Sequence, residues 1–142
     1  MSDLKNTVYT IPDFDQQALK IEGKGLRSLL VITEADSYDT NEEITLKKLV
    51  SAIKFDFDND IYFIKISKNE LFSVSNLPLK YNEMIVFGLL PEQIGLNIDY
   101  RMYEILPFEH IRIMISDSIR QMNAIPQNKQ QLWVKLQEMF LK

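Results

Sequence analysis

The sequence predicts a single α/β domain, spanning residues 1–142, built on a four-stranded, mostly parallel sheet with helices on both faces. Three observations carry this. Short apolar runs recur at 28–33, 61–66, 83–87 and 111–115, each bounded by turn residues, which reads as a set of buried strands. Amphipathic helical patterns fall between and after them. The alternation of the two, closed by right-handed crossovers, gives a layered α/β/α arrangement.

Residues 1–25 are weakly patterned and read as irregular and mobile, with Pro12 holding Ile11 in an extended conformation. Gly23 and Gly25 bracket Lys24 as a turn ahead of the first strand. After that strand comes a polar loop, 34–39. Thr40-Asn41-Glu42-Glu43 then has the spacing of a capping box, with Thr40 as the cap and Glu43 reaching back. Leu46, Leu49, Val50 and Ile53 follow at i, i+3, i+4, i+7 and define one helical face. Asp56 to Asp60 form a turn, and 61–66 is rich in β-forming residues.

The stretch 67–82 has no clear period and is broken at Asn76-Leu77-Pro78. Pro91 begins a short helix that Gly95 ends. A minor strand lies at 103–106, before the last principal one. From about Asn128 a helix carries Leu132, Leu136, Met139 and Phe140 on one stripe, with Trp133 at its edge.

Composition excludes several chemistries. The chain has 142 residues, enough for one domain with a real core. It has no cysteine, which removes disulfides, thiolate metal sites and a cysteine nucleophile. Net charge is −4 and the basic residues are scattered, so strong direct nucleic-acid binding is not expected. The start shows no basic region followed by an apolar run, and no apolar run approaches the roughly 20 residues of a membrane span. A cytoplasmic location without membrane contact is expected.

Chemistry-bearing clusters are few. Glu34, Asp36 and Asp39 follow the first strand, where ligands of open parallel sheets bind, and could hold Mg²⁺ or share a proton. The plainer reading is a solvated loop before a helix N-terminus. Asp56, Asp58, Asn59 and Asp60 lack the glycine and distal glutamate of a calcium loop and read as a turn. His110 is the only histidine and has no nucleophile motif to serve. Four glycines are too few for a phosphate loop, and no cofactor is expected. An exposed Trp133 would point to a partner groove.

Three stretches taken together carry a resemblance: Leu29 to Glu34 with the helix ending Leu49-Val50-Ser51-Ala52-Ile53; Ile85-Val86-Phe87-Gly88; and Ile115 to Ile119 leading to Gln131-Leu132-Trp133-Val134-Lys135-Leu136. Over about residues 27–141 the chain resembles the uracil-DNA glycosylase-like superfamily. The resemblance implies strand order 2-1-3-4 and a site built from two motifs. A Gly-Glu-x-Pro-Gly type loop corresponds to 33–37, where Glu34 alone matches. A His-Pro-Ser motif corresponds to 116–118, where Ser118 alone matches and Ser116 stands where the histidine should be. Loss of that histidine should cost orders of magnitude in rate. The implied remnant is a vestigial pocket of Glu34, Asp36, Ser37, Ser116 and Ser118.

A non-catalytic branch of this fold, the psi subunits of bacterial DNA polymerase III, is similar at 27–53 and 129–140, including a Leu-Trp pair in the terminal helix. That similarity implies an adaptor in DNA replication whose partner is another protein, with Tyr9, Phe14 and Trp133 as partner-binding residues. The competing readings are a glycosylase-like enzyme with rebuilt chemistry, in which Glu34 or Asp36 activates water, and a small-molecule sensor. An open polar pocket between Glu34 and Ser116 or Ser118 would favour the enzyme. A filled pocket with an exposed aromatic patch would favour the adaptor.

Overall fold

Leu29–Glu34 (β2) is the centre of the sheet, and all six of its residues are buried. A strand with apolar residues on both faces must be covered on both, which is why this run has no polar alternation. The computed structural model describes residues 20–70 and 72–141. Within them β2 pairs in parallel with β3 (Ile61–Ile66) on one side and β4 (Glu83–Phe87) on the other, and β4 pairs in parallel with β6 (Ile111–Ser116). The four principal strands therefore stand where the sequence puts them, in the order 2-1-3-4.

Among the described residues the sheet has six strands rather than four. β1 (Ile21–Glu22) adds to β3 and β5 (Ile105–Phe108) to β6, both antiparallel, giving the order β1-β3-β2-β4-β6-β5. Both additions are edge strands. β1 is two residues long and produces no periodic apolar signal, whereas β5 is the minor strand expected at 103–106, shifted two residues later.

Among the described residues, the α-helices lie on one side of the sheet only. α1 (Thr40–Ala52), α2 (Ile119–Ala124) and α3 (Pro126–Phe140) all pack on one face, over Leu29, Val31, Ile85, Phe87 and Met114. The opposite face, with Leu30, Ile32, Met84, Val86 and Ile113, is covered by irregular chain and two 3₁₀ helices, Val74–Asn76 and Pro91–Ile94. Pro78 and Gly95 interrupt the segments that cross this face, and a broken segment cannot propagate the i→i−4 ladder of an α-helix.

α1 starts one residue earlier than its sequence motif implies. Asp39 is the N-cap, and its N–H donates to Glu42 Oε1 at 3.0 Å. Asp39/Glu42 and Thr40/Glu43 have the same spacing. The former pair prevails because Arg120 of α2 meets Asp39 at 3.0 Å and Glu42 at 3.5 Å, tying the start of α1 to α2. At the other end of the helical layer, Arg112 of β6 pairs with Glu83 of β4 at 2.7 Å and donates to the Met139 carbonyl of α3 at 3.0 Å. Arg112→Met is expected to lower stability by about 1–3 kcal/mol, as hydrogen bonds from a charged donor are lost and one helix-end carbonyl is freed. A urea titration of both proteins measures it, and an unchanged midpoint would reject this anchoring role.

Candidate functional site

The carboxyl ends of β2, β4 and β6 meet at Gly88. Its φ is +78°, and a Cβ there would lie 2.6 Å from Glu34 Cγ and 2.9 Å from Ser118 Cβ. Glu34 ends β2, Gly88 follows β4, and Ser118 follows β6, so the sheet brings two of the expected site residues to one point across a single glycine. Only a residue without a side chain fits between them. Gly88 N–H donates to the Ser116 carbonyl at 2.9 Å, which holds the two strand ends together.

Each polar group at this point already has a partner. Glu34 is 2% exposed. Its carboxylate accepts from the Ser37 N–H at 3.1 Å and from the Ser37 hydroxyl. Ser118 caps α2, its Oγ accepting from Gln121 N–H at 3.2 Å. Ser116 is fully buried; its hydroxyl donates toward the Asp117 carbonyl at 3.0 Å and lies 3.4 Å from the Met122 sulfur. Asp36 is not part of this group. It faces the loop after β3, accepting from the Ser67 hydroxyl at 3.2 Å and Lys68 N–H at 3.0 Å. Glu34, Ser37 and Ser118 thus converge, Ser116 sits beneath α2, and Asp36 fastens one loop to another.

Asp117 is the residue that sequence reading passed over. Its Oδ2 accepts from the Tyr103 phenol at 3.0 Å and from Asn128 Nδ2 at 2.9 Å, joining the end of β6 to the chain before β5 and to α3. Burial pushes the Tyr103 phenol up to about 12, so it remains a donor to this carboxylate throughout the neutral range. Asp117 was visible only as the middle of the Ser116-Asp117-Ser118 run, because its partners are distant in sequence.

The remaining candidates separate clearly. Asp56 accepts from Asn59 N–H at 3.1 Å and Asn59 Nδ2 at 2.6 Å, and Asp60 accepts from Asp56 N–H at 2.7 Å, so this acidic run is a self-bonded turn. Among the described residues no cluster of three His, Asp or Glu side chains could hold a metal. No helix among them is long and apolar enough to cross a membrane. Tyr9 and Phe14 lie outside the described residues.

Trp133 is half-buried on α3. It lines a groove of about 360 Å³ between α1 and α3, together with Lys48, Leu49, Ala52, Pro126 and Lys129. A larger cleft of about 610 Å³ opens at the amino ends of β4 and β6, with an apolar floor of Val74, Met84 and Ile111 and with Tyr81, Phe108 and His110 among its lining. That end is opposite the one at which Glu34 and Ser118 meet.

A scan of protein-family models and a search of curated proteins found no match to this sequence. The chain is an α/β protein with a six-stranded, mostly parallel sheet.

Proposed function

We propose that this chain is a non-enzymatic protein-interaction adaptor of uracil-DNA glycosylase-like fold, of the kind represented by the psi subunit of bacterial DNA polymerase III. One observation carries the reading. At the strand ends where such a fold would hold a base, Glu34 is buried against Ser37, Ser118 is engaged as a helix cap, and Gly88 fills the space between them. A water-activating carboxylate needs reach to water and substrate, and this one is enclosed. The 2-1-3-4 order of the parallel strands and the half-exposed Trp133 on the terminal helix support the same reading.

The purified chain is expected to release no uracil from single- or double-stranded DNA above a buffer control. Uracil release that disappears in Glu34→Gln would overturn the proposal in favour of a rebuilt glycosylase. The adaptor reading also expects affinity isolation of the full chain from its native cells to return components of the replication machinery, identified by mass spectrometry.

A further inference from the structure

We infer that the groove between α1 and α3 is a docking site for a short acidic peptide segment carrying one bulky apolar side chain. The inference rests on the adaptor reading and names the chemistry of its partner.

The groove combines an apolar floor with two cationic rims. Leu49, Ala52, Pro126 and Trp133 form the floor, and Lys48 and Lys129 stand on the two helices that border it. The apolar character continues beyond the floor. Ile44, one turn before Lys48 on the same face of α1, is 48% exposed, and Ile125, next to Pro126, is 39% exposed. A Trp at the centre of such a surface is the side chain most often responsible for binding energy at interfaces. Trp133 is half-buried, and an indole N–H is a donor that a peptide carbonyl can accept from.

The charge pattern selects the partner. Acids on these two helices are already engaged elsewhere: Glu43 with Lys47 at 2.9 Å, Glu42 with Arg120 at 3.5 Å, and Glu138 with Lys135 at 3.7 Å. The described lining of the groove holds Lys48 and Lys129 and no acidic side chain, so it is positive on a chain whose net charge is −4. Two ammonium groups facing one apolar groove complement carboxylates on either side of an apolar anchor. The same pair is too sparse to track a nucleic-acid backbone, which is gripped by longer runs of Lys and Arg.

A phage-displayed random peptide library, panned against the full chain, tests this whatever the identity of the natural partner. Enriched sequences should carry Asp or Glu around a Trp, Phe or Leu. A synthetic peptide of that consensus should bind with an affinity that falls as salt rises. Lys48→Gln/Lys129→Gln, which alters only exposed positions, should weaken it about tenfold or more, and so should Trp133→Ala. Enrichment of neutral or basic sequences would overturn the inference, as would acidic binders indifferent to both variants. Oligothymidylate binding that the lysine variant abolishes would reassign the groove to single-stranded nucleic acid. All three outcomes leave the adaptor reading intact, whereas Glu34-dependent uracil release would overturn that reading regardless of the peptides enriched.

Discussion

Leu136→Ala is expected to lower the stability of the domain by about 2–5 kcal/mol and its melting temperature by on the order of 10 °C. Leu136 is 2% exposed and packs from α3 into the core shared by Leu46, Leu49 and Val50 of α1, Ile53 just beyond that helix, and Ile85 and Phe87 of the sheet. Removing its three terminal carbons forfeits their burial and leaves a cavity among branched side chains from several elements, which cannot all collapse at once. Val134→Ala is the control on the same helix. Val134 is 42% exposed, so its loss should change stability by no more than about 0.5 kcal/mol. Parallel thermal melts decide the matter. Equal midpoints for the two variants would mean that α3 is not a core element.

The second large effect is expected at Gly88. An alanine there must adopt a φ of +78°, which costs about 1–2 kcal/mol for an L-residue. Its Cβ would also approach Glu34 Cγ and Ser118 Cβ to within 2.6 and 2.9 Å, adding an overpacking cost of about 1–3 kcal/mol. Neither neighbour can yield easily, since Glu34 is held by Ser37 and Ser118 by the start of α2. Urea unfolding of Gly88→Ala should therefore show a loss of several kcal/mol. A loss below about 0.5 kcal/mol, the ordinary scatter of surface changes, would mean that the strand ends are looser than described.

The four principal strands were legible because each is a dense apolar run that both faces of a sheet can use, as in Leu29 to Ile32 and Ile85 to Phe87. α1 and α3 were legible from their periodicity, and Trp133 at the stripe's edge is half-buried accordingly. The failures have physical causes. The six residues of α2 are too few to display a period, and α2 depends on the Ser118 cap and on packing beside α1 and α3. The layer opposite the α-helices is built from residues such as Val74, Leu77, Leu79 and Ile98, whose spacing follows the sheet beneath rather than any helix.

At the candidate site, Glu34 stands out by its place after the first strand, whereas Ser118 could be singled out only through a resemblance. That Gly88 lies between them gave no chemical signal, since its role is the absence of a side chain. The hub at Asp117 was hidden for a different reason: hydrogen bonds between Tyr103, Asp117 and Asn128 exist only once β6, α3 and the chain before β5 have been brought together.

The two edges of the sheet have a consequence for behaviour at high concentration. An exposed strand edge is a template on which a second chain can add and then a third, which is how native-like domains begin to polymerise. Here β1 pairs with only Phe63 and Ile64 of β3, too short a ledge to register another strand. On the far side, Pro107 sits inside β5, next to Phe108, and offers no N–H to an incoming ladder. The apolar strands that make the core so legible in the sequence are also the segments best suited to cross-β stacking. Among the described residues they are confined to the interior, behind one truncated border and one interrupted border, and neither border offers a long ladder for lengthening the sheet.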